Sequence, residues 1–274
     1  MSTTSVPFPF LSIVVPAFNE ETTLSAVVER LLAVENLREI VVVDDGSEDR
    51  TFAIVRELAW RHPQVRVLRH LRNAGKTAAL RTGFASTTGE IVVIQDADLE
   101  YDPGQIKEVI RPIVEGTADV VYGSRFLGRE TTPARYLYHH VANKSLTFLS
   151  NLLMKARISD VETGFKAFRG EIIRNMVLTS AGFGFEIEAT AKIAKLRCGI
   201  SEVPVSYDGR TYAEGKKIGV ADGLAALWYI VRYTWFTSLR ASYRAGYVPI
   251  ASDVRHEVTA SIEVFEETAR CAVR

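Results

Sequence analysis

Short apolar runs alternate with amphipathic stretches along the first half of the chain. The runs are rich in Val and Ile, as strands buried on both faces are, and they comprise Leu11–Ala17, Glu39–Val43, Val65–Leu68, Glu90–Ile94 and Asp119–Tyr122. Between them, apolar residues recur with the three- and four-residue spacing of helices in Glu20–Leu32, Thr51–Arg61, Thr77–Thr87 and Gln105–Glu115. This βαβ alternation predicts an α/β fold with a Rossmann-like, mostly parallel sheet flanked by helices.

The pattern changes after Arg125. A basic, aromatic stretch with helical spacing, Pro133–Met154, precedes a predicted helix at Glu186–Leu196 and a predicted strand at Ile200–Tyr207. An amphipathic segment, Val220–Leu239, follows a charged loop. Because no Gly/Ser-rich or Pro-rich linker separates the halves, we predict one domain over residues 1–240 with a C-terminal amphipathic helical elaboration. To the tail, residues 241–274, we assign no role.

Charge is distributed unevenly along a chain of otherwise ordinary globular composition. Of the 274 residues 47% are hydrophobic and 24% charged, which excludes the disordered and collagen-like classes. The formal net charge is zero, yet residues 1–124 carry 12 basic and 18 acidic side chains, whereas residues 125–252 carry 18 and 10. We therefore expect the acidic first part to bind a cationic ligand and the basic second part to bind an anionic one.

Polar residues follow the predicted strands at the edge where open α/β sheets bind ligands, the carboxyl ends of the strands. The four polar segments are Pro16-Ala17-Phe18-Asn19-Glu20, Asp44-Asp45-Gly46-Ser47, Asp96-Ala97-Asp98-Leu99-Glu100 and Gly123-Ser124-Arg125. Two nucleotide-binding motifs are excluded there. Gly75-Lys76-Thr77 lacks the first glycine of a phosphate-binding loop, since His70 stands in its place, and no dinucleotide fingerprint follows the first strand.

The triplet Asp96-Ala97-Asp98 predicts a divalent cation. Magnesium binds one or two carboxylates together with substrate phosphates, so a diphosphate is the natural partner of this site. A solvated turn with capping Asp residues is the alternative. Carboxylates facing Asp44 and Asp45 would repel one another without a cation, and we therefore predict a Mg²⁺ or Mn²⁺ site formed by Asp96, Asp98 and Glu100.

The strand-end motifs together resemble those of glycosyltransferase family 2, whose GT-A fold binds a nucleotide-sugar. Motifs of the second half are similar to those of the dolichyl-phosphate mannose synthase branch, which glycosylates a polyprenyl phosphate. They are Thr163-Gly164-Phe165-Lys166, Phe183-Gly184-Phe185-Glu186 and Val203-Pro204-Val205-Ser206-Tyr207, followed by Arg210 and Glu214-Gly215-Lys216-Lys217. The resemblance covers roughly residues 10–240.

The resemblance implies roles for individual residues. The nucleoside would be held by Pro16, Phe18, Glu20, Val43 and Asp45, and the diphosphate and metal by Asp96, Ala97 and Asp98, with Glu100 as a further ligand. Asp98 and Arg125 would be catalytic. Arg125, Arg210 and Lys216 would stabilise the departing nucleoside diphosphate, since guanidinium groups bind phosphate in a planar, bidentate manner; for Arg210 and Lys216 a solvated loop is the alternative. Phe18 replaces the usual Tyr and Glu100 a common Gln, so GDP- and UDP-linked sugars both stay open.

We predict an inverting transfer of a hexosyl group to polyprenyl phosphate. A phosphate whose second pKa is about 6 is largely dianionic at neutral pH and needs cations rather than a general base. His139, His140 and Asn143 are candidates for lining the acceptor groove. Glu162 lies near the position of a catalytic carboxylate in other branches, so transfer to a saccharide hydroxyl with Glu162 as base is the first alternative. A non-catalytic nucleotide-sugar-binding protein is the second.

The segment Val220–Leu239 predicts peripheral attachment to an anionic membrane. It combines large aromatic side chains with flanking arginines, as helices lying on such surfaces do: Trp228, Tyr229, Tyr233 and Trp235 with Arg232, Arg240 and Arg244. A core helix under the sheet is the alternative. We expect a cytoplasmic protein that is peripheral at the inner face of the cell membrane, without a spanning helix and without a nucleic-acid partner.

Overall fold

The computed structural model describes residues 10–128, 137–209 and 220–247. Within these ranges the chain forms one sheet with helices on both faces, which confirms the predicted α/β class. The strands, in chain order, are β1 (Leu11–Ala17), β2 (Leu37–Asp44), β3 (Val65–Arg69), β4 (Ile91–Ile94), β5 (Val120–Ser124), β6 (Lys166–Arg169) and β7 (Ile200–Pro204).

The described helices lie close to their predicted positions, except for two short ones, the sixth and the ninth in chain order, which were not predicted. They are α1 (Leu24–Leu31), α2 (Thr51–Arg61), α3 (Lys76–Ser86), α4 (Ile106–Val114), α5 (Leu137–Met154), α6 (Gly170–Asn175), α7 (Phe185–Leu196), α8 (Val220–Trp235) and α9 (Leu239–Ser242). Helix α1 begins four residues later than the apolar spacing predicts, because Asn19 has a left-handed backbone (φ 55°) and residues 21–23 form a turn.

The strand order is β3-β2-β1-β4-β6-β5-β7, and every neighbouring pair is parallel except those made by β6. The apolar pattern did not predict β6. This strand runs antiparallel between β4 and β5, and its first residue, Lys166, pairs with Tyr122 near the end of β5. The segment 160–165 that leads into β6 is therefore delivered to the same sheet edge as the carboxyl ends of β4 and β5.

Two apolar layers cover the sheet. Residues of α1, α2 and α4 pack on one face together with Ile13 and Val15, while α3, α7 and α8 pack on the other face with Val14. Alternate residues of β1 thus enter different cores. Burial on both faces explains why the strands are almost continuously apolar in sequence.

Helix α8 has two faces. Ile230 and Tyr233 are fully buried, whereas Trp228 and Trp235 are exposed, so each alternative for this segment describes one side of the helix. After α9, Tyr243 is buried and forms a β-bridge with Met176, and the packed structure thus continues past the predicted boundary at residue 240. Among the described residues, no helix combines the length and apolarity needed to cross a membrane.

Candidate active site

The first two strands bring together the residues predicted to hold a nucleoside. Pro16 and Val43 are register partners on β1 and β2. Glu20 is buried, and its main-chain N–H donates to Thr51 Oγ1 at 2.8 Å. The Val43 side chain is fully buried and packs with Val41 and Ala79. A nucleoside contact by Val43 would therefore have to use its backbone atoms.

Asp45 anchors the loop that precedes α3. Its carboxylate accepts the N–H groups of Ala74 at 3.1 Å and Gly75 at 2.7 Å, and it lies 2.5 Å from His70 Nδ1. Gly75 has φ +90° and approaches Gly182 so closely that a Cβ would lie 3.0 Å from its Cα. The nucleoside contact predicted for Asp45 stays a prediction, but the carboxylate clearly fixes where α3 begins.

Lys76, the first residue of α3, reaches the predicted diphosphate site. Its Nζ lies 2.9 Å from Asp96 Oδ1 and 3.2 Å from Glu186 Oε1. Burial acts to lower the pKa of Lys76, but the charges of Asp96 and Glu186 outweigh it and raise this pKa well above its usual value. Lys76 was not predicted as a site residue, because it belongs to the incomplete phosphate-binding loop Gly75-Lys76-Thr77. The sequence feature that indicates it is a lysine at a helix N-terminus beside the ligand-binding edge of the sheet.

Three of the acidic residues at this edge have partners that offset their charge. Asp44 lies 3.0 Å from Arg69 Nε, Asp45 contacts His70 and backbone N–H groups, and Asp96 pairs with Lys76. These partners weaken the argument for a metal from mutual repulsion, and the fit of a metal depends on the donor groups themselves.

Asp96 and Asp98 fit a divalent cation, although the predicted set of three carboxylates is not assembled. Glu100 Oε2 accepts the Tyr207 hydroxyl at 2.7 Å, and the described part of the chain contains no cluster of three Asp, Glu, His or Cys residues suited to a metal. A Cβ on Gly164 would overlap Asp96 Oδ2, so the space beside this carboxylate requires glycine. Two neighbouring carboxylates suit Mg²⁺ or Mn²⁺ when substrate phosphates supply the other oxygens.

Arg125, directly after β5, is held by a residue that the sequence interpretation missed. Its Nε and Nη2 each donate to the buried Asp160 carboxylate at 2.7 Å, and its guanidinium carbon lies 5.0 Å from the centre of the Tyr207 ring. Asn143 on α5 donates to the same carboxylate at 3.1 Å. Burial acts to raise the pKa of Asp160, but the charge and hydrogen bonds of Arg125 lower it below its usual value.

Three buried carboxylates carry an oxygen without a hydrogen-bond partner among the described residues: Asp44 Oδ2, which is ion-paired with Arg69, and Glu162 Oε1 and Glu186 Oε2. Burial, reinforced by the charge of Glu186, raises the pKa of Glu162 to about 7. Burial also lowers the pKa of Lys166 to about 8, and its Nζ donates to the carbonyls of Val161 and Thr163. Unpartnered acceptors of this kind suit the hydroxyl groups of a sugar.

The predicted acceptor residues are only partly brought together. Asn143 reaches Arg125 through Asp160, while His140 packs edge-on against Phe126 with ring centres 4.8 Å apart. Lys144 Nζ lies 4.0 Å from the centre of the Phe126 ring. Arg210, Lys216 and the His139 side chain lie outside the described residues.

The fold and the acidic strand edge define a GT-A glycosyltransferase-type α/β domain. Residues 12–177, more than half of the chain, match the family model described as glycosyl transferase family 2. The chain therefore belongs to glycosyltransferase family 2, and within it to the dolichyl-phosphate mannose synthase-like branch, as the motifs predicted.

Named relatives agree with this assignment. A dolichol-phosphate mannosyltransferase of Pyrococcus furiosus is 33% identical over 76% of this chain, which spans 59% of that protein's length. A polyprenol monophosphomannose synthase of Mycolicibacterium smegmatis is 30% identical, with 76% of this chain and 80% of that protein covered. Glucosyl-3-phosphoglycerate synthase of Mycobacterium tuberculosis, solved with Mn²⁺, UDP and phosphoglyceric acid, superposes with a TM-score of 0.62 at 22% identity, covering 83% of this chain and 79% of that one.

Proposed function

We propose that the protein is an inverting glycosyltransferase that moves a hexosyl group, of the mannose or glucose type, from a nucleotide-sugar to polyprenyl phosphate. The observation that carries this proposal is the fixed Arg125 guanidinium at the sheet edge that also bears Asp96 and Asp98. An acceptor phosphate needs a cation there, and a donor diphosphate needs the carboxylates with their metal. The two curated relatives support the acceptor, since both of their names join mannose, a phosphate and a polyprenol.

The reaction is a displacement at the anomeric carbon. An oxygen of the acceptor phosphate forms a bond to this carbon from one face, and the bond to the nucleoside diphosphate breaks on the other face. Asp96 and Asp98 would hold Mg²⁺ or Mn²⁺, which would neutralise charge on the departing diphosphate. Arg125 orients the acceptor phosphate, Lys76 holds Asp96 in place, and Glu186 Oε2 accepts a hydrogen bond from a hydroxyl of the hexose.

A donor panel tests this proposal. The protein is incubated with GDP- and UDP-linked hexoses, Mg²⁺ or Mn²⁺ and a short-chain polyprenyl phosphate, and lipid products are identified by mass spectrometry. We expect a polyprenyl phosphate that has gained one hexosyl residue with one donor class. Absence of a glycolipid with every donor would contradict the proposal.

Transfer to a saccharide hydroxyl is a second candidate because of Glu162. A pKa of about 7 suits a general base, and Glu162 Oε1 lacks a partner among the described residues. Such a base is inactive when protonated, so the reaction rate would fall as the pH drops through about 7. Transfer of the hexosyl group to a phosphate would instead slow below a pH of about 6, where the acceptor phosphate gains a proton.

We expect Glu162→Gln to change the rate of transfer to polyprenyl phosphate by less than about tenfold and to retain the rate decrease below about pH 6, because no general base is needed. The check is the pH profile of kcat for wild type and variant. A drop in kcat on the order of 100-fold or more, with loss of a step near pH 7, would favour the hydroxyl acceptor instead.

We also propose that the protein works at the inner face of a membrane, docked through an apolar surface on α5 and α8. This α5–α8 surface consists of exposed Val141, Phe148 and Leu152 on α5 and Leu224, Leu227, Trp228 and Trp235 on α8. Exposed cations, among them Lys144, Lys155 and Arg240, lie on or beside these helices. An apolar face with a basic surround suits an anionic lipid surface. Tyr229 and Tyr233, expected on this face, instead point inward, where Tyr229 donates its hydroxyl to Ala181 O and Tyr233 is fully buried.

Replacing Trp228 and Trp235 together by Ser is expected to weaken binding to anionic vesicles at least about tenfold, since each indole loses apolar burial in the lipid interface. Co-sedimentation at low salt measures the effect. Trp60→Ser is the matched control, because Trp60 is 86% exposed on α2, on the opposite face of the sheet. Equal binding by all three proteins, or no binding by wild type, would refute the docking surface.

A further inference from the structure

We infer that Asp160 is a positioning residue that holds the Arg125 guanidinium in a single orientation, with one edge presented to the acceptor phosphate. The inference rests on the proposed function, because it concerns the phosphate acceptor of that reaction. Asp160 is fully buried and lies in the segment that the antiparallel strand β6 brings to the site edge. The motifs that indicated the family gave Asp160 no role.

The geometry of the pair fixes the guanidinium completely. Asp160 Oδ2 accepts Arg125 Nε and Oδ1 accepts Arg125 Nη2, both at 2.7 Å, and Oδ2 also accepts the Arg125 main-chain N–H at 3.2 Å. A bidentate pair of this kind defines the plane of the guanidinium. Tyr207 covers the guanidinium with its ring at 5.0 Å, so rotation out of that plane is hindered.

One edge of the guanidinium stays available. Nη1 of Arg125 has no hydrogen-bond partner among the described residues, while Nε and Nη2 are both used by Asp160. An arginine offers five N–H donors in a rigid fork, and the donors not taken by Asp160 point away from it. A phosphate that binds Arg125 without breaking the pair must therefore approach this edge.

Asp160 also links Arg125 to helix α5. Asn143 Nδ2 donates to Asp160 Oδ1 at 3.1 Å, and Asn143 Oδ1 accepts the Thr147 hydroxyl at 3.3 Å. Helix α5 carries part of the proposed docking surface. Through Asn143, this helix contacts the same Asp160 carboxylate that holds Arg125, the proposed cation for the lipid phosphate. This arrangement predicts that replacing Asp160 changes the KM of the acceptor more than the KM of the donor.

The test is Asp160→Asn, an isosteric change whose amide nitrogen would face an arginine N–H donor and break the bidentate pair. We expect kcat/KM for polyprenyl phosphate to fall on the order of 100-fold, with a raised acceptor KM, because misplacement of about 1 Å has this cost. The donor KM should change by less than about threefold. Added to Arg125→Lys, which cannot form the pair, Asp160→Asn should cost less than about threefold more, since the two residues act as one unit.

Asp119→Asn is the matched control. Asp119 is a buried partner of Arg169, 2.8 Å from its Nε, at the opposite end of β5. We expect this variant to lose stability without a change in either KM. If Asp160→Asn does not fold, Asn143→Ala takes its place and should raise the acceptor KM while leaving the donor KM unchanged.

Several results would overturn the inference. One is an unchanged or lowered acceptor KM in Asp160→Asn, and another is an equal rise of donor and acceptor KM in that variant. A third is an undiminished effect of Asp160→Asn when it is added to Arg125→Lys. If Asn143→Ala is needed, an unchanged acceptor KM in that variant is the fourth. In each case an active wild-type enzyme leaves the proposed function intact. A wild-type protein without glycolipid product would contradict the proposed function itself.

Discussion

Replacing Arg125 by Ala is expected to lower kcat/KM for polyprenyl phosphate on the order of 1,000-fold or more, because the proposed mechanism uses this cation both to bind the acceptor and to stabilise developing charge. The loss should exceed that of a surface arginine, since the guanidinium is fixed by Asp160 before substrate arrives. Arg125→Lys should recover only a small part of the activity, because an ammonium group keeps the charge but not the planar fork. Initial rates over a range of acceptor concentrations provide the measurement.

Arg169→Ala is the control for Arg125→Ala. Both variants leave a buried aspartate without its arginine, Asp119 in one case and Asp160 in the other. Both substitutions should therefore lower the melting temperature. Arg169→Ala should nevertheless keep kcat/KM within about threefold of wild type, because Arg169 lies at the end of β6 away from the candidate site. Activity of Arg125→Ala within tenfold of wild type would remove Arg125 from the mechanism.

Asp98→Asn should lower kcat on the order of 100- to 1,000-fold at saturating donor, since a neutral amide is a weaker metal ligand than a carboxylate and the departing diphosphate loses its counter-charge. Higher Mg²⁺ or Mn²⁺ should not restore the rate. Folding should be little affected, because the Asp98 side chain is partly exposed and its Oδ1, which accepts the Glu100 N–H at 3.1 Å, can be replaced by an amide oxygen.

Asp102→Asn provides the comparison for Asp98→Asn. Asp102 is an exposed carboxylate four residues further along the same loop, and its Oδ1 accepts the Gly104 N–H at 3.0 Å as the cap of the short 3-10 turn Pro103–Gln105. Its removal should leave kcat within about twofold of wild type. If Asp98→Asn behaves like Asp102→Asn, or regains full rate with added metal, Asp98 has no essential part in turnover.

Much of the fold could be predicted because the strands are buried on both faces. Runs such as Leu11–Ala17 are almost wholly apolar, and the structure has β1 with the same bounds. Strand β6 was missed because its four residues, Lys166 to Arg169, begin and end with a charge and show neither an apolar run nor alternation. Missing β6 also hid Asp160, since the direction of that strand is what brings it to the site, whereas Glu162 was a candidate from the resemblance alone.

Local motifs predicted the sheet edge at which the candidate residues lie, and residues that meet there from distant parts of the sequence were missed. Asp96-Ala97-Asp98 follows β4 after the intervening Gln95, and Arg125 directly follows β5, both at the expected sheet edge. Lys76 acquires its position through Asp96 and Glu186, which lie 20 and 110 residues away in sequence. The inward and outward aromatic residues of α8 could not be separated by pattern, because aromatic residues occupy both faces of that helix.

A competition between two acceptors tests the central claim most directly. Wild-type protein is given the active nucleotide-sugar with equal amounts of a polyprenyl phosphate and the polyprenol of the same length, and the products are separated by mass spectrometry. Because the proposed role of Arg125 is to bind an acceptor phosphate, the hexosyl group should appear only on the polyprenyl phosphate. Transfer to the hydroxyl of the polyprenol, or equal labelling of both lipids, would contradict a phosphate acceptor.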